Sequence, residues 1–208
     1  MKIRTLVLVS HSFLALCVNA ATYYVDASRP DDLGAGTTWA TAKRTIQAAI
    51  NLATPGDTVL VTNGVYACIS SGNKAITVQS VNGSAVTIID GASANCCANL
   101  GSSSSHYATS LIGFTLRNGR ASRGGGSCYG TLSNCVITSN RATDSGGGSY
   151  YGKLYNCKIL NNKAEGSSGY GGGAYVSTLY DCLITGNQSG YTGGASASEA
   201  IRVCTTCR

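Results

Sequence analysis

The sequence predicts an all-β chain wound as a parallel β-helix, a solenoid closed at its N-terminal end by a helical cap. Three observations carry this prediction: one unit is written three times with a degraded fourth copy, like residues recur at matched places in each unit, and glycine runs stand where a competing solenoid needs helix. The copies start at Gly124, Gly146, Gly171 and Gly193. They read GGGSCYGTLSNCVITSNRATDS, GGGSYYGKLYNCKILNNKAEGSSGY, GGGAYVSTLYDCLITGNQSGYT and GGASASEAIRVC. Self-similarity with a period of roughly 20 to 50 residues marks stacked-repeat architectures, in which each unit buries its core only against its neighbours.

Alignment of the copies gives a column of Cys135, Cys157, Cys182 and Cys204, at steps of 22, 25 and 22 residues, and Phe114 opens the column 21 residues earlier. Leu132, Leu154 and Leu179 precede the cysteines by three places, and Ile137, Ile159 and Ile184 follow them by two. Such apolar-polar alternation is the signal of short strands. Asn140, Asn162 and Asn187 fall five places after each cysteine. Stacked identical amides can bond one another, whereas a buried amide left unpaired costs roughly 1–3 kcal/mol. Phe114, the cysteines and these asparagines therefore form the expected structural ladder. The spacing also fits a leucine-rich repeat, which needs a helical return segment. The copies offer GGGSCYG, GGGSYYG and GGGAYVS there, and each glycine costs about 1 kcal/mol against alanine in a helix, so short strands joined by tight turns are preferred.

Residues 1–20 read as an export signal, with basic Lys2 and Arg4, an apolar run from Leu6 to Val18, and a small-residue exit at Val18-Asn19-Ala20. The run is interrupted by Ser10, His11 and Ser12, too short an apolar stretch for a comfortable span. The expected location is extracellular or on the outer cell surface. Without the leader the net charge is +4, a balance that does not call for nucleic acid. Nine cysteines remain, an odd number that excludes complete internal pairing. The four in the column are expected as core thiols, because coils stacked about 4.8 Å apart exceed the Cβ separation of about 3.8 Å usual in a disulfide. Cys204-x-x-Cys207 has a metal-like spacing without partners, so no metal site is assigned.

The mature chain reads as one domain. Residues 21–56 supply a strand, TYYVDA, and an amphipathic helix over 41–53, with Ile46, Ala49, Ile50 and Ala53 on one face and Trp39 as an apolar plug over the open core. Residues 57–208 supply the coils, beginning with TVLV, ITV, VTII and LIGFTL. Residues 92–110, poor in apolar side chains, are expected as a loop outside the stack. The chain stops at EAIRVCTTCR without a capping pattern, which predicts a truncated C-terminal end and, for the complete protein, a monomer.

YYVDA, TWATAKRTIQAAINLATPGDTVLVTNGVY, ITVQSVNGSAVTIIDG and the GGG/C-x-I-x-x-N units together resemble the secreted bacterial right-handed parallel β-helix proteins of the pectin-lyase-like superfamily. The I-x-x-N and GGA elements are also similar to repeats of chlamydial polymorphic outer-membrane proteins. The resemblance covers nearly all of 23–204 and implies a right-handed β-helix. For function it implies polysaccharide lyases and hydrolases, or adhesins without catalysis. A lyase of this kind would need calcium ligands; no other cofactor is implied.

The residues themselves point first to binding. Arg120, Arg141 and Lys163 follow their column residues by six places, so stacking superposes them. Like charges about 5 Å apart repel by roughly 0.8 kcal/mol in water and about four times that at an effective dielectric of 20, so an anionic ligand or neighbouring acids must compensate. Asp144 and Glu165 are placed to do so, and they are also the only candidate acid pair for catalysis in the repeats. Asp181 falls in the column of Asn134 and Asn156 and faces amides. Asp31-Asp32 and His106 read as loop residues. Tyr155 and Tyr180 share one outward column and Tyr129 and Tyr151 another, rows suited to sugar rings or to sheet stabilisation. The expected partner is an acidic polysaccharide or cell-surface glycan, and a carbohydrate-active enzyme is the alternative.

Overall fold

The computed structural model describes residues 20–103, 108–167, 169–190, 196–197 and 201–202, the last two segments as backbone only. The chain is an all-β parallel solenoid with one short α-helix near its N-terminal end, as the periodicity predicts. Among the described residues the strands stack into one eight-stranded sheet, two six-stranded sheets and one four-stranded sheet, and every pairing between strands is parallel. One coil shows the pattern. Thr131–Ser133 lies in the first sheet, Val136–Thr138 in the second, Arg141–Ser145 in the fourth and Ser149–Tyr150 in the third, and then the chain re-enters the first at Lys153–Tyr155.

Like residues meet like residues through this register. In the first sheet Val59, Val78, Leu111, Leu132, Leu154 and Leu179 are successive partners, all buried. In the second, Ile89, Leu116, Ile137 and Ile159 do the same. Full burial of each such side chain contributes about 1.5–3 kcal/mol. Between the two sheets Phe114, Cys135 and Cys157 are buried and Cys182 is half-buried; the backbone N–H groups of Val136, Lys158 and Leu183 donate to the carbonyls of Phe114, Cys135 and Cys157. The three thiols are unoxidised and donate to main-chain oxygens of Ser133, Tyr155 and Tyr180, each at 3.3 Å. Hydrogen bonding with the Cys135 and Cys182 thiols, and then burial, pushes the Cys157 pKa far up. Cys204 lies outside the described residues.

The next corner holds the amides. Asn140 and Asn162 are fully buried. The Asn140 main-chain N–H and Nδ2 both donate to Asn162 Oδ1 at 3.0 Å, and those of Asn162 donate to Asn187 Oδ1 at 2.8 and 3.0 Å. The other Nδ2 hydrogens reach the carbonyls of Leu116, Ile137 and Ile159. Every polar atom of the inner amides is thus engaged, which burial demands.

The glycine runs exist because neighbouring coils touch main chain to main chain. A Cβ on Gly148 would stand 2.3 Å from the Gly173 carbonyl oxygen and 3.0 Å from Asn162 Nδ2. The N–H groups of Gly124, Gly125, Gly126 and Ser127 donate in turn to the carbonyls of Ser145, Gly146, Gly147 and Gly148.

The N-terminal end departs from expectation in three respects. The α-helix is α1, Ile46–Leu52, capped by Thr45, rather than the whole of 41–53; Lys43 is drawn into a parallel bridge with Val25 instead. Ile46, Ala49, Ile50 and Ala53 cover the core as anticipated, but Trp39 does not: it is 43% exposed and packs edge-on against Tyr24 at 4.6 Å. Residues 92–110 are not simply a loop. Ala98–Asn99 forms a strand of the third sheet, and Cys97, Ala98 and Leu100 are fully buried, because two-residue strands need no visible alternation to join a stack. Lys74 closes the helix end, its Nζ donating to the carbonyls of Ile50, Asn51 and Ala53 at 2.7, 3.2 and 2.8 Å, where the helix dipole favours a cation. No helix among the described residues is long and apolar enough to cross a membrane.

Candidate functional site

The fourth sheet carries the charge. Ala142 and Ala164 turn inward and are fully buried, so alternation sends their neighbours outward. Arg120 pairs in register with Arg141, Arg141 with Lys163, and Lys163 with Gln188. Glu165 spans two coils, accepting from Arg141 Nη1 at 2.6 Å and from Arg120 Nη2 at 3.3 Å. Arg123 Nε donates to Asp144 Oδ2 at 2.9 Å, and its guanidinium lies 5.5 Å from the Tyr150 ring centre.

These contacts set the electrostatics. The hydrogen bond from Arg141 lowers the Glu165 pKa, with Arg120 and Lys163 adding to it, and the hydrogen bond from Arg123 lowers that of Asp144. Both carboxyls are therefore anions at neutral pH, Asp144 held by one guanidinium group and Glu165 by two. Such groups compensate the basic column but are poor proton donors. With Arg123 beside it, the column of Arg120, Arg141 and Lys163 makes four cations against two carboxylates. Beside it lies a cleft of about 260 Å³ whose lining includes Ser139, Arg141, Asn161, Lys163 and Gln188. It offers guanidinium, ammonium, hydroxyl and amide donors side by side.

The remaining candidates fall elsewhere. Tyr155 and Tyr180 are register partners in the first sheet, their rings 4.7 Å apart and 6° from parallel. Tyr129 and Tyr151 are 6.1 Å apart. Sequence reasoning missed that they belong to a larger patch: Tyr150 stacks on Tyr175 at 5.6 Å, and Tyr170 reaches Tyr175 at 6.1 Å. The doubled tyrosine at 150–151 was the available signal. Asn134, Asn156 and Asp181 share one corner with φ of 54°, 50° and 50°, left-handed values that asparagine and aspartate tolerate. Asn156 Nδ2 donates to Asn134 Oδ1 at 2.6 Å.

Asp32 accepts from the Thr45 main-chain N–H and hydroxyl, and Asp31 from the Leu33 N–H, so both organise the loop ahead of α1. His106 lies outside the described residues. Among the described residues no group of three or more potential ligands is arranged to hold a metal ion.

No protein-family model matches the sequence, and a search of curated proteins finds no match. Among solved structures the chain is similar to a pectin methylesterase mutant crystallised with a hexasaccharide, at 11% identity and a TM-score of 0.39, covering 77% of this chain. The chain spans 61% of that structure's length. A likeness of this size concerns the path of the backbone alone.

Proposed function

We propose that this chain is an exported surface protein that binds acidic polysaccharide along its fourth sheet. The observation that carries the reading is the in-register column Arg120, Arg141 and Lys163 beside a polar cleft, with fewer carboxylates than cations around it. Cations repeating at the coil spacing of about 4.8 Å suit a polymer bearing many carboxylates or sulfates. Such an anion would compete with Glu165 for Arg141, and guanidinium groups take carboxylates by paired hydrogen bonds. Tyr155 and Tyr180 are proposed as a second contact for sugar rings on the neighbouring sheet. Export rests on the leader-like residues 1–20, and the resemblance to β-helix surface proteins supports the same placement.

Binding is favoured over polysaccharide cleavage because Asp144 and Glu165, the candidate acid pair of the repeats, are each occupied by arginine. The test is affinity electrophoresis in polygalacturonate. The double substitution Arg141→Ala with Lys163→Ala should weaken retention about tenfold or more, and retention of the unaltered chain should fall with added salt. Unchanged retention of the variant would remove the proposal. Calcium-dependent appearance of unsaturated uronides in the same incubation would replace it with the lyase reading.

A further inference from the structure

Among the described residues the cysteines divide into two kinds. Cys68, Cys97, Cys135, Cys157 and Cys182 aim their thiols at main-chain oxygens. Cys97 is fully buried, its Sγ 3.1 Å from the Arg117 carbonyl oxygen and 3.5 Å from Asn140 Oδ1. Cys96 and Cys128 behave differently. They are half-buried, lie on coils that are register neighbours through Ala98 and Ser127, and place their sulfurs 3.9 Å apart.

We propose that Cys96 and Cys128 are a thiol pair that takes up a small oxidised disulfide and becomes an inter-coil cross-link. The sulfurs need to approach by only roughly 2 Å to reach bonding distance. Cys96 donates its hydrogen to the Cys128 sulfur, and this hydrogen bond lowers the Cys128 pKa while raising that of Cys96. Cys128 is accordingly the first nucleophile. Its thiolate attacks one sulfur of the small disulfide, forming a mixed disulfide and expelling one thiolate. Cys96 then loses its proton to solvent and attacks the Cys128 sulfur; the Cys96–Cys128 bond forms as the second small thiolate leaves. The protein loses two electrons and two protons, and the small disulfide gains both as two thiols.

The cross-link would tie a coil of the irregular N-terminal half to the first repeat coil, beside the first glycine run. It would also withdraw the Cys128 thiol from the Arg123 carbonyl oxygen, to which it donates at 3.1 Å.

The reduced full-length protein is incubated with oxidised glutathione, quenched with an alkylating agent and mapped by peptide mass spectrometry. The expected product has lost the mass of two hydrogens and yields a peptide pair joined through Cys96 and Cys128, with Cys97, Cys135 and Cys157 alkylated only after unfolding. Cys96→Ser should trap glutathione on Cys128, whereas Cys128→Ser should leave Cys96 largely unmodified. Recovery of Cys96 and Cys128 as separate alkylated thiols, or of either bonded to a different cysteine, overturns the proposal. The wild-type map decides the matter even if a variant folds poorly.

Discussion

The coils before residue 103 share three of the four sheets with those after residue 110, which alone among the described residues build the fourth, and the two regions are held by different means. In the earlier region each strong polar contact occurs once. Buried Asp57 accepts from the N–H groups of Ala21 and Thr54, each at 2.7 Å, and from the Thr54 hydroxyl at 2.9 Å. Gln47 of α1 satisfies the edge at Ser70, donating to its carbonyl at 3.1 Å and accepting from its N–H at 2.8 Å. In the later region the same contact recurs coil after coil, and its worth lies in having a neighbour on each side. A single-copy contact fails locally, whereas loss of a middle rung breaks two interfaces at once.

That contrast is testable at the asparagine ladder. Asn162→Ala would deprive the Asn140 N–H and one Asn140 Nδ2 hydrogen of their acceptor and the Ile137 carbonyl of a donor, and at roughly 1–3 kcal/mol for each unsatisfied group should cost about 3 kcal/mol or more in urea unfolding. Asn187→Ala, at the half-buried end, should cost distinctly less. Equal losses would show that the rungs act independently.

Gly148→Ala comes next. Its Cβ would meet the Gly173 main chain, which cannot swing aside, so a cost of about 2–3 kcal/mol is expected. The N-terminal comparator Gly83→Ala has open space around its Cβ and a φ of 84°, and should lose only about 1 kcal/mol from backbone strain. A reversed order would mean that the coils can separate at the glycine run.

Asp57→Ala should cost about 2 kcal/mol by removing charge-assisted hydrogen bonds. Hydrogen bonds from Thr54 and Ala21 lower the Asp57 pKa, so its folded value lies below its unfolded one. Its contribution is complete above the unfolded pKa of about 3.9 and is lost as pH falls through the folded pKa. Midpoints of wild type and Asp57→Ala should therefore differ at pH 7 and converge under acid. The smallest effect belongs to the surface: Glu165→Gln should change stability by less than about 1 kcal/mol. It should nonetheless strengthen retention by polygalacturonate, since it frees Arg120 and Arg141, and weaker retention would assign Glu165 to the ligand.

The repeat half could be read from residues because each inference had three witnesses: Cys135, Cys157 and Cys182 fixed the phase for Leu132, Ile137 and Asn140. The N-terminal half offered no such repetition. Asp57 and Ala21 are 36 residues apart, and nothing local announces their contact. Trp39 was expected over the core because it is large and apolar, yet the face of α1 fills that space first. Residues 98–99 were hidden by brevity. At the charged flank, spacing indicated which cations align, but not that Glu165 reaches Arg120 across 45 residues of sequence.

From Ser110 onward the coils differ in length by a few residues, and the solenoid absorbs that difference in one place. Pairing shifts between Ala121 and Arg123, where Arg141–Ser145 carries an extra residue, and the long 25-residue step places its surplus between Ala164 and Ala174 before register resumes with Ser149 opposite Ala174. Both lie along the border of the charged flank. Insertions can thus accumulate there without slipping the stack, which makes that border the side on which descendants of this scaffold would diverge, and a natural point for grafting foreign loops.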